Sequence, residues 1–125
     1  MNNNAKEWVK ELRTTKHLQI QGQMRTHGEN DIPAYCVLGI ACEVYRKEHP
    51  EVEWVYFSQG MWSFLDNMAS LPEVVQTWLG LRTAYGHFQL PKMTRTSLAQ
   101  QNDSGFMSFE RLAKLIESEP EGLFE

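Results

Sequence analysis

The chain has 125 residues, of which 42% are hydrophobic and 22% charged, and its formal net charge is -4 at pH 7. This length, with 4 Trp, 6 Phe and 4 Tyr, predicts one globular domain and excludes a disordered chain. The acidic balance argues against nucleic acid as a partner, because a surface that follows phosphates needs clustered Lys and Arg.

The sequence predicts neither a membrane segment nor secretion. No apolar run approaches the ~20 residues that cross a bilayer. Residues 1–4 lack the basic and apolar parts of a secretory signal, and the chain holds only two cysteines. We therefore expect no membrane partner and a reducing compartment, the cytoplasm.

The chain opens with a predicted amphipathic helix. Asn4 and Glu7 have the spacing of a capping pair, and the apolar residues that follow fall on one helical face. Residues 18–25 then alternate apolar and polar side chains, which predicts a half-exposed strand. A loop rich in Gly, Asn and Asp is expected at residues 26–33.

The next helix is predicted to be the centre of the core. Pro33 suits its first turn, and residues 34–48 begin apolar on nearly every side, as in a helix that is buried all round. Gly39 in its interior costs about 1 kcal/mol relative to Ala, a cost usually offset by close approach of another backbone. We interpret Cys36 and Cys42 as buried, inert thiols.

A second strand is predicted at residues 52–57, which are rich in β-branched and aromatic side chains. We expect it to pair with residues 18–25. Ser58 has the position of a cap for a short helix, and Ser70 has the position of a cap for another helix that ends at Gly80.

The last third of the chain is predicted to be loop and helix. Residues 82–95 show no clear period, which indicates a long loop or a loop with a short strand. A helix at about 96–101, a polar turn at 102–105 and a final helix capped by Ser108 follow. Residues 118–125 are expected to form a loosely ordered tail.

These elements predict one α+β domain over residues 1–125, mainly helical, with a small antiparallel sheet. No motif for a metal or a cofactor accompanies it. The two cysteines are about 240° apart around a helix and cannot bind one ion. The turn before Gly105 fails as a calcium loop, because Gln100 and Arg111 stand where that loop needs acids. Glycine-rich phosphate-binding motifs are absent from the sequence.

Aromatic residues are concentrated between residues 54 and 64, and we name Trp54, Tyr56 and Trp62 as candidate binding residues. One short strand and one helix cannot bury all these rings on one face. Aromatic side chains anchor protein interfaces and also stack on bases. Packing in the core is the alternative interpretation of the same residues.

Four further candidates lie in segments predicted to be loops or strand ends. His27 and His87 each stand beside a glycine. Arg25 lies two residues before His27, and Tyr85 lies in the 82–95 loop. Long loops often carry function. No two histidines have metal-ligand spacing, so we predict no metal site.

Three functions remain open from these residues. The first is a non-catalytic binding protein whose partner is another protein, with the 54–64 aromatics and the 82–95 loop as its surface. The second is a nucleotide or small-ligand pocket lined by Arg25, His27 and Tyr85. The third is a small enzyme that uses Cys36, which is close to a helix N-terminus, and a histidine.

Several segments occur in a fixed order along the chain: Trp8-Val9 with Leu12-Arg13, Gln21-Gly22 with Met24-Arg25, Cys36-Val37-Leu38-Gly39-Ile40-Ala41-Cys42, Leu71-Pro72-Glu73-Val74-Val75 with Trp78-Leu79-Gly80-Leu81, and Asn102-Asp103-Ser104-Gly105 with Ser108-Phe109, Leu112-Ala113 and Ile116-Glu117. This order resembles a family of small proteins of tailed phages and prophages. Here Tyr35 stands where that family often has another cysteine, and the turn after Gly105 is one residue longer. Both differences argue against a metal or thiol site. The resemblance implies no established activity; it implies a phage context, in which small accessory proteins often bind host or defence components.

Overall fold

The computed structural model describes residues 1–27 and 32–125. In chain order, the described elements are α1 (Asn3–Thr14), β1 (Leu18–Gln19), β2 (Arg25–His27), β3 (Pro33–Tyr35), α2 (Val37–Glu48), β4 (Trp54–Ser58), β5 (Met61–Phe64), α3 (Glu73–Leu79), β6 (His87–Phe88), β7 (Thr96–Ser97), α4 (Leu98–Asp103) and α5 (Phe109–Glu117). Helices dominate and the sheets are small and mostly antiparallel, so the predicted α+β domain is confirmed.

Helix α2 lies at the centre of the core, as its all-round apolarity predicted. Its first nine residues are buried on almost every side, and α1 packs against both α2 and α5. The indole N–H of Trp8 in α1 donates to the carbonyl oxygen of Val37 at 3.0 Å. A buried ring of this size stabilises the fold by about 1.5–3 kcal/mol relative to an exposed one.

The start of α2 differs from the prediction. Pro33 lies in β3 and does not open the helix, which begins at Val37 after Cys36 in an extended conformation. Proline is compatible with the first residue of a strand, because it needs no N–H there. The close approach expected at Gly39 is confirmed, since a Cβ at this position would clash with the carbonyl oxygen of Met24.

The first sheet has the strand order β1-β3-β2, with β1 parallel and β2 antiparallel to β3. The predicted strand at residues 18–25 is therefore split in two, with a break near Gly22, whose φ is +83°. Part of the loop predicted at 26–33 lies outside the described residues.

The prediction that residues 52–57 pair with residues 18–25 is wrong. β4 pairs antiparallel with β5, and β5 occupies the place of the short helix predicted after Ser58. Gln59 and Gly60 both have positive φ, 51° and 78°, which is the conformation of a type I′ hairpin turn. Closing this short turn costs less chain entropy than pairing segments about thirty residues apart.

The final residues are packed against the domain, so the loose tail predicted at 118–125 is wrong. Leu123 is completely buried, and its carbonyl oxygen accepts a hydrogen bond from the backbone N–H of Arg82 at 3.0 Å. Bridges join Leu81 to Phe124 and Gln89 to Glu121. One apolar anchor and a few backbone hydrogen bonds are enough to fix this short segment.

Caps at the helix ends agree with the sequence in two places and differ in two. Ser108 caps α5, and Gly80 ends α3 with a φ of 77°. The cap of α1 is Asn2, whose side chain accepts from the N–H of Ala5, and not the predicted Asn4. The N-cap of α3 is Pro72, without a side-chain hydrogen bond, and not a serine.

Candidate functional site

Both thiols lie inside the core, as predicted. Cys36 is 5% exposed and Cys42 is fully buried. Burial raises the pKa of Cys36 to about 11 and raises the pKa of Cys42 well above its ordinary value. A catalytic thiol needs the opposite shift. The described residues contain no group of three or more His, Cys, Asp or Glu that could hold a metal ion.

Native protein should resist thiol alkylation at pH 8, because neither thiol is accessible or ionised. Iodoacetamide should label both cysteines only in denatured protein, as measured by mass spectrometry.

The raised pKa of Cys36 also predicts that the free energy of unfolding declines between about pH 9 and pH 11. The thiol of the unfolded chain ionises from its ordinary pKa of 9.0, while buried Cys36 stays protonated up to about 11. Rapid labelling of Cys36 at pH 6 would contradict the buried state of this thiol.

Five of the seven candidate binding residues meet at one place. Together with Tyr35 they form a group that we call the Arg25 cluster, and its members are Arg25, His27, Tyr35, Trp54, Tyr56 and Trp62. The guanidinium carbon of Arg25 lies 3.9 Å from the ring centroid of Trp62 and 5.6 Å from those of Tyr35 and Trp54. These are cation–π distances.

The two sheets bring the cluster together. Arg25 and His27 are two residues apart in β2, so both side chains project from the same face of that strand. Tyr35 lies opposite Arg25 in the register of β2 and β3. The β4–β5 hairpin is fixed beside β2 by a hydrogen bond from the hydroxyl of Thr26 to the carbonyl oxygen of Gly60, at 2.8 Å.

Aromatic contacts extend the cluster toward the outer strand of the hairpin. The ring of His27 lies 5.1 Å from the ring of Trp62 and 5.3 Å from the ring of Tyr56. Tyr56 and Trp62 face each other across β4 and β5 at 5.1 Å. The guanidinium of Arg25 joins these three rings to those of Tyr35 and the core-facing Trp54.

The carboxylate nearest to this group is already engaged. Glu43 accepts hydrogen bonds from the indole N–H of Trp54 at 2.8 Å and from the Nε of Arg46 at 2.9 Å. Burial alone would raise the pKa of Glu43, but these hydrogen bonds outweigh burial and lower it. Burial also raises the pKa of Tyr35 to about 12, so its hydroxyl stays protonated.

Three polar nitrogens in the cluster are shielded from solvent without a hydrogen-bond partner among the described residues. They are the Nε of Arg25, the Nδ1 of His27 and the indole nitrogen of Trp62. A shielded donor without an acceptor costs about 1–3 kcal/mol. Because such groups are uncommon in folded proteins, finding three in one cluster marks it as a candidate binding site.

Tyr85 and His87 lie elsewhere. Their rings are 6.1 Å apart, and the Nδ1 of His87 is 2.9 Å from the hydroxyl of Thr83. Burial, with a smaller effect of Arg95, lowers the pKa of His87. Among the residues that the structure describes, neither ring contacts the Arg25 cluster. The pocket predicted from Arg25, His27 and Tyr85 is therefore not assembled.

The hairpin also exposes Val55, which sequence reasoning missed, and Phe57, which belongs to the 54–64 aromatics but was not named as a site residue. Val55 is 58% exposed and Phe57 is 69% exposed. Phe57 lies where the register shifts between Tyr56 and Ser58, and such a bulge turns a side chain outward. The Gln59-Gly60 turn is the sequence signal that could have indicated this hairpin.

A separate groove of about 220 Å³ is lined by residues of α1 and α2 and by Trp78 of α3, and contains none of the candidate residues. Its lining includes Glu7, Glu11 and Glu48. The ammonium of Lys47 pairs with Glu11 at 3.2 Å. Solvated charges on two packed helices account for this groove, and we assign no site to it.

The protein is thus a small α+β domain with an exposed hairpin and an arginine enclosed by aromatic rings. The chain belongs to the family described as domain of unknown function DUF8296, whose model matches residues 1–120. Neither a curated protein nor a solved structure shows significant similarity to it. Within the described residues, no helix has the length and apolarity needed to span a membrane.

Proposed function

We propose that this protein is a non-catalytic binding protein that docks another protein on the β4–β5 hairpin. The observation that carries the proposal is a run of exposed apolar side chains on β4: Val55 at 58%, Tyr56 at 48% and Phe57 at 69%. Such residues in succession leave apolar surface in contact with water unless a partner covers them.

The backbone of β4 supports the same proposal. β4 and β5 form a two-stranded sheet, so in the described part of the chain the outer edge of β4 pairs with no further strand. Exposed edge strands are usually protected by charged residues or proline, and residues 54–58 contain neither. An extended segment of a partner can add to such an edge through backbone hydrogen bonds.

The resemblance to phage proteins supports a narrower form of the proposal. In that form the protein is an accessory factor that acts in the host cytoplasm and binds or inhibits a host or defence component. A small-ligand role is the alternative, supported by the three unpartnered nitrogens of the Arg25 cluster. A concentration-dependent thermal shift with nucleotides would favour this alternative, because ligands stabilise the state that they bind.

Replacing Phe57 with Ser should weaken capture of the partner by roughly 10- to 30-fold, about 1.5–2 kcal/mol, as expected for an aromatic anchor. Immobilised protein would be incubated with host lysate, and the retained proteins quantified by mass spectrometry. The change removes an exposed ring, so the melting temperature should stay nearly constant.

Phe106→Ser is the matched control. Phe106 is 80% exposed and lies between α4 and α5, outside the hairpin. We expect proteins that are retained by the wild type and by Phe106→Ser, but not by Phe57→Ser. Equal retention by all three proteins would refute the role of the hairpin.

A further inference from the structure

We propose that the Arg25 cluster is an oxyanion site, and that its occupant is a carboxylate on the extended segment of a protein that docks along β4. This inference rests on the proposed function and adds the chemistry that the partner must carry. Three observations support it: the fixed position of the guanidinium, its lack of a counter-ion among the described residues, and the unpartnered nitrogens around it.

The guanidinium of Arg25 is held in place before any ligand arrives. Trp62 lies 3.9 Å away on one side, and Tyr35 and Trp54 lie at 5.6 Å. An exposed arginine ordinarily loses side-chain entropy when it binds a ligand. Here packing against the rings has already restricted the side chain, so less affinity is lost on binding.

No carboxylate among the described residues neutralises Arg25. The cations that form ion pairs among the described residues are the N-terminus, Arg13, Arg46 and Lys47. Glu43, which accepts a hydrogen bond from Trp54, forms its ion pair with Arg46. On a chain of net charge -4, an arginine with no counter-ion among residues 1–27 and 32–125 favours a partner segment with a negative charge.

The unpartnered nitrogens favour an oxygen ligand at the same place. The Nε of Arg25 and the indole nitrogen of Trp62 can only donate hydrogen bonds, and both lack an acceptor among the described residues. Arg25 itself is only partly buried, so an oxyanion can approach its guanidinium from solvent. Small adjustments of the hairpin would then let the oxygens of the ligand satisfy these donors.

A carboxylate suits this site better than a phosphate. The guanidinium and a carboxylate are both planar and form two parallel hydrogen bonds. The cluster offers one arginine and no lysine, whereas phosphate sites usually combine several cations or backbone N–H groups. The cluster also extends through Tyr56 onto β4, the strand on which the partner segment is proposed to dock.

Two capped hexapeptides of alternating Val and Thr serve as probes, identical except for a central Glu in one and a central Gln in the other. Binding is followed through the indole N–H signal of Trp62 by NMR. The Glu peptide should bind roughly 10-fold more tightly than the Gln peptide, as expected for a charged hydrogen-bonded pair. Arg25→Gln should abolish this difference, and near-UV circular dichroism verifies that its aromatic packing is native. Arg25→Lys, which keeps the charge but not the planar fork, should retain only part of the preference.

Each other outcome decides against the inference. Equal affinity for the two peptides, or no shift of the Trp62 signal with either, overturns the carboxylate assignment. A saturable shift with inorganic phosphate and none with the Glu peptide would assign the cluster to a free phosphate. In all these cases the role of the hairpin is judged separately, because it depends on the capture result for Phe57→Ser.

Discussion

Replacing Gly39 with Ala should destabilise the protein by about 2 kcal/mol, even though the change favours the helix locally. Ala stabilises a helix interior by about 1 kcal/mol relative to Gly. Against this, the new Cβ would clash with the carbonyl oxygen of Met24 and lie 2.9 Å from its carbonyl carbon. Overpacking of this kind costs about 1–3 kcal/mol and sometimes more.

The clash cannot be relieved cheaply, because the backbone of Met24 is fixed on both sides. Its carbonyl oxygen accepts from the N–H of Cys36 at 3.0 Å, and its N–H donates to the carbonyl oxygen of Met68 at 2.9 Å. Moving Met24 would also disturb Arg25, the next residue. We therefore expect the steric penalty to exceed the gain in helix propensity.

Urea denaturation of the Gly39→Ala variant measures this effect. The control is Gly105→Ala, because Gly105 has a φ of +79° and a Cβ added there would meet no described atom within 4 Å. That change should cost only about 1 kcal/mol, the strain of a left-handed conformation. If Gly39→Ala matched the wild type in stability, the close approach of the two backbones would be wrong.

Replacing Asn102 with Ala should destabilise the protein by about 3–4 kcal/mol. The Asn102 side chain is completely buried. Its oxygen accepts from the backbone N–H of Val37 at 3.0 Å and from the side chain of Gln19 at 2.9 Å, and its nitrogen donates to the carbonyl oxygen of Ile20 at 2.7 Å. Truncation leaves the N–H of Val37 and the carbonyl oxygen of Ile20 without this partner, at about 1–3 kcal/mol for each buried group, whereas Gln19 still donates to the carbonyl oxygen of Met107 at 2.8 Å.

The neighbouring Asp103 provides the control for this prediction. It is exposed and accepts a hydrogen bond from the backbone N–H of Gly22 at 2.8 Å. Asp103→Ala should therefore cost only about 1 kcal/mol. Chemical denaturation of both variants gives the comparison, and similar losses from both would show that Asn102 does not join α2, α4 and the segment after β1.

The central helix could be predicted because its evidence is local in sequence. Apolar residues on all sides of α2 indicate burial, and Gly39 indicates close backbone contact. Strand pairing could not be predicted in the same way, because residues 18–25 and 52–57 each have strand character without specifying a partner. The turn at Gln59 and Gly60 decides the pairing of β4, and the Gln obscures a signal that Asn-Gly would have made plain.

The candidate site was only partly predictable for a related reason. Residue type identifies Arg25, His27, Trp54, Tyr56 and Trp62 as candidates, but their meeting depends on the docking of the hairpin beside β2. Tyr85 and His87 have similar chemistry and lie apart from it.

The burial of Asn102 could not be predicted from the sequence around it. Its neighbours in sequence are turn formers, which favours a polar turn, and only the tertiary packing shows that it is buried. Its hydrogen bonds to Val37 and Ile20 cross long stretches of sequence, so no local pattern could indicate them.

Site-specific photo-crosslinking would show whether a partner docks on the β4–β5 hairpin. A benzophenone amino acid would replace Phe57 in one protein and Phe106 in another, and both would be irradiated in host lysate. We expect a discrete protein adduct from position 57 that is absent at position 106. An adduct from position 106 alone would contradict docking on the hairpin.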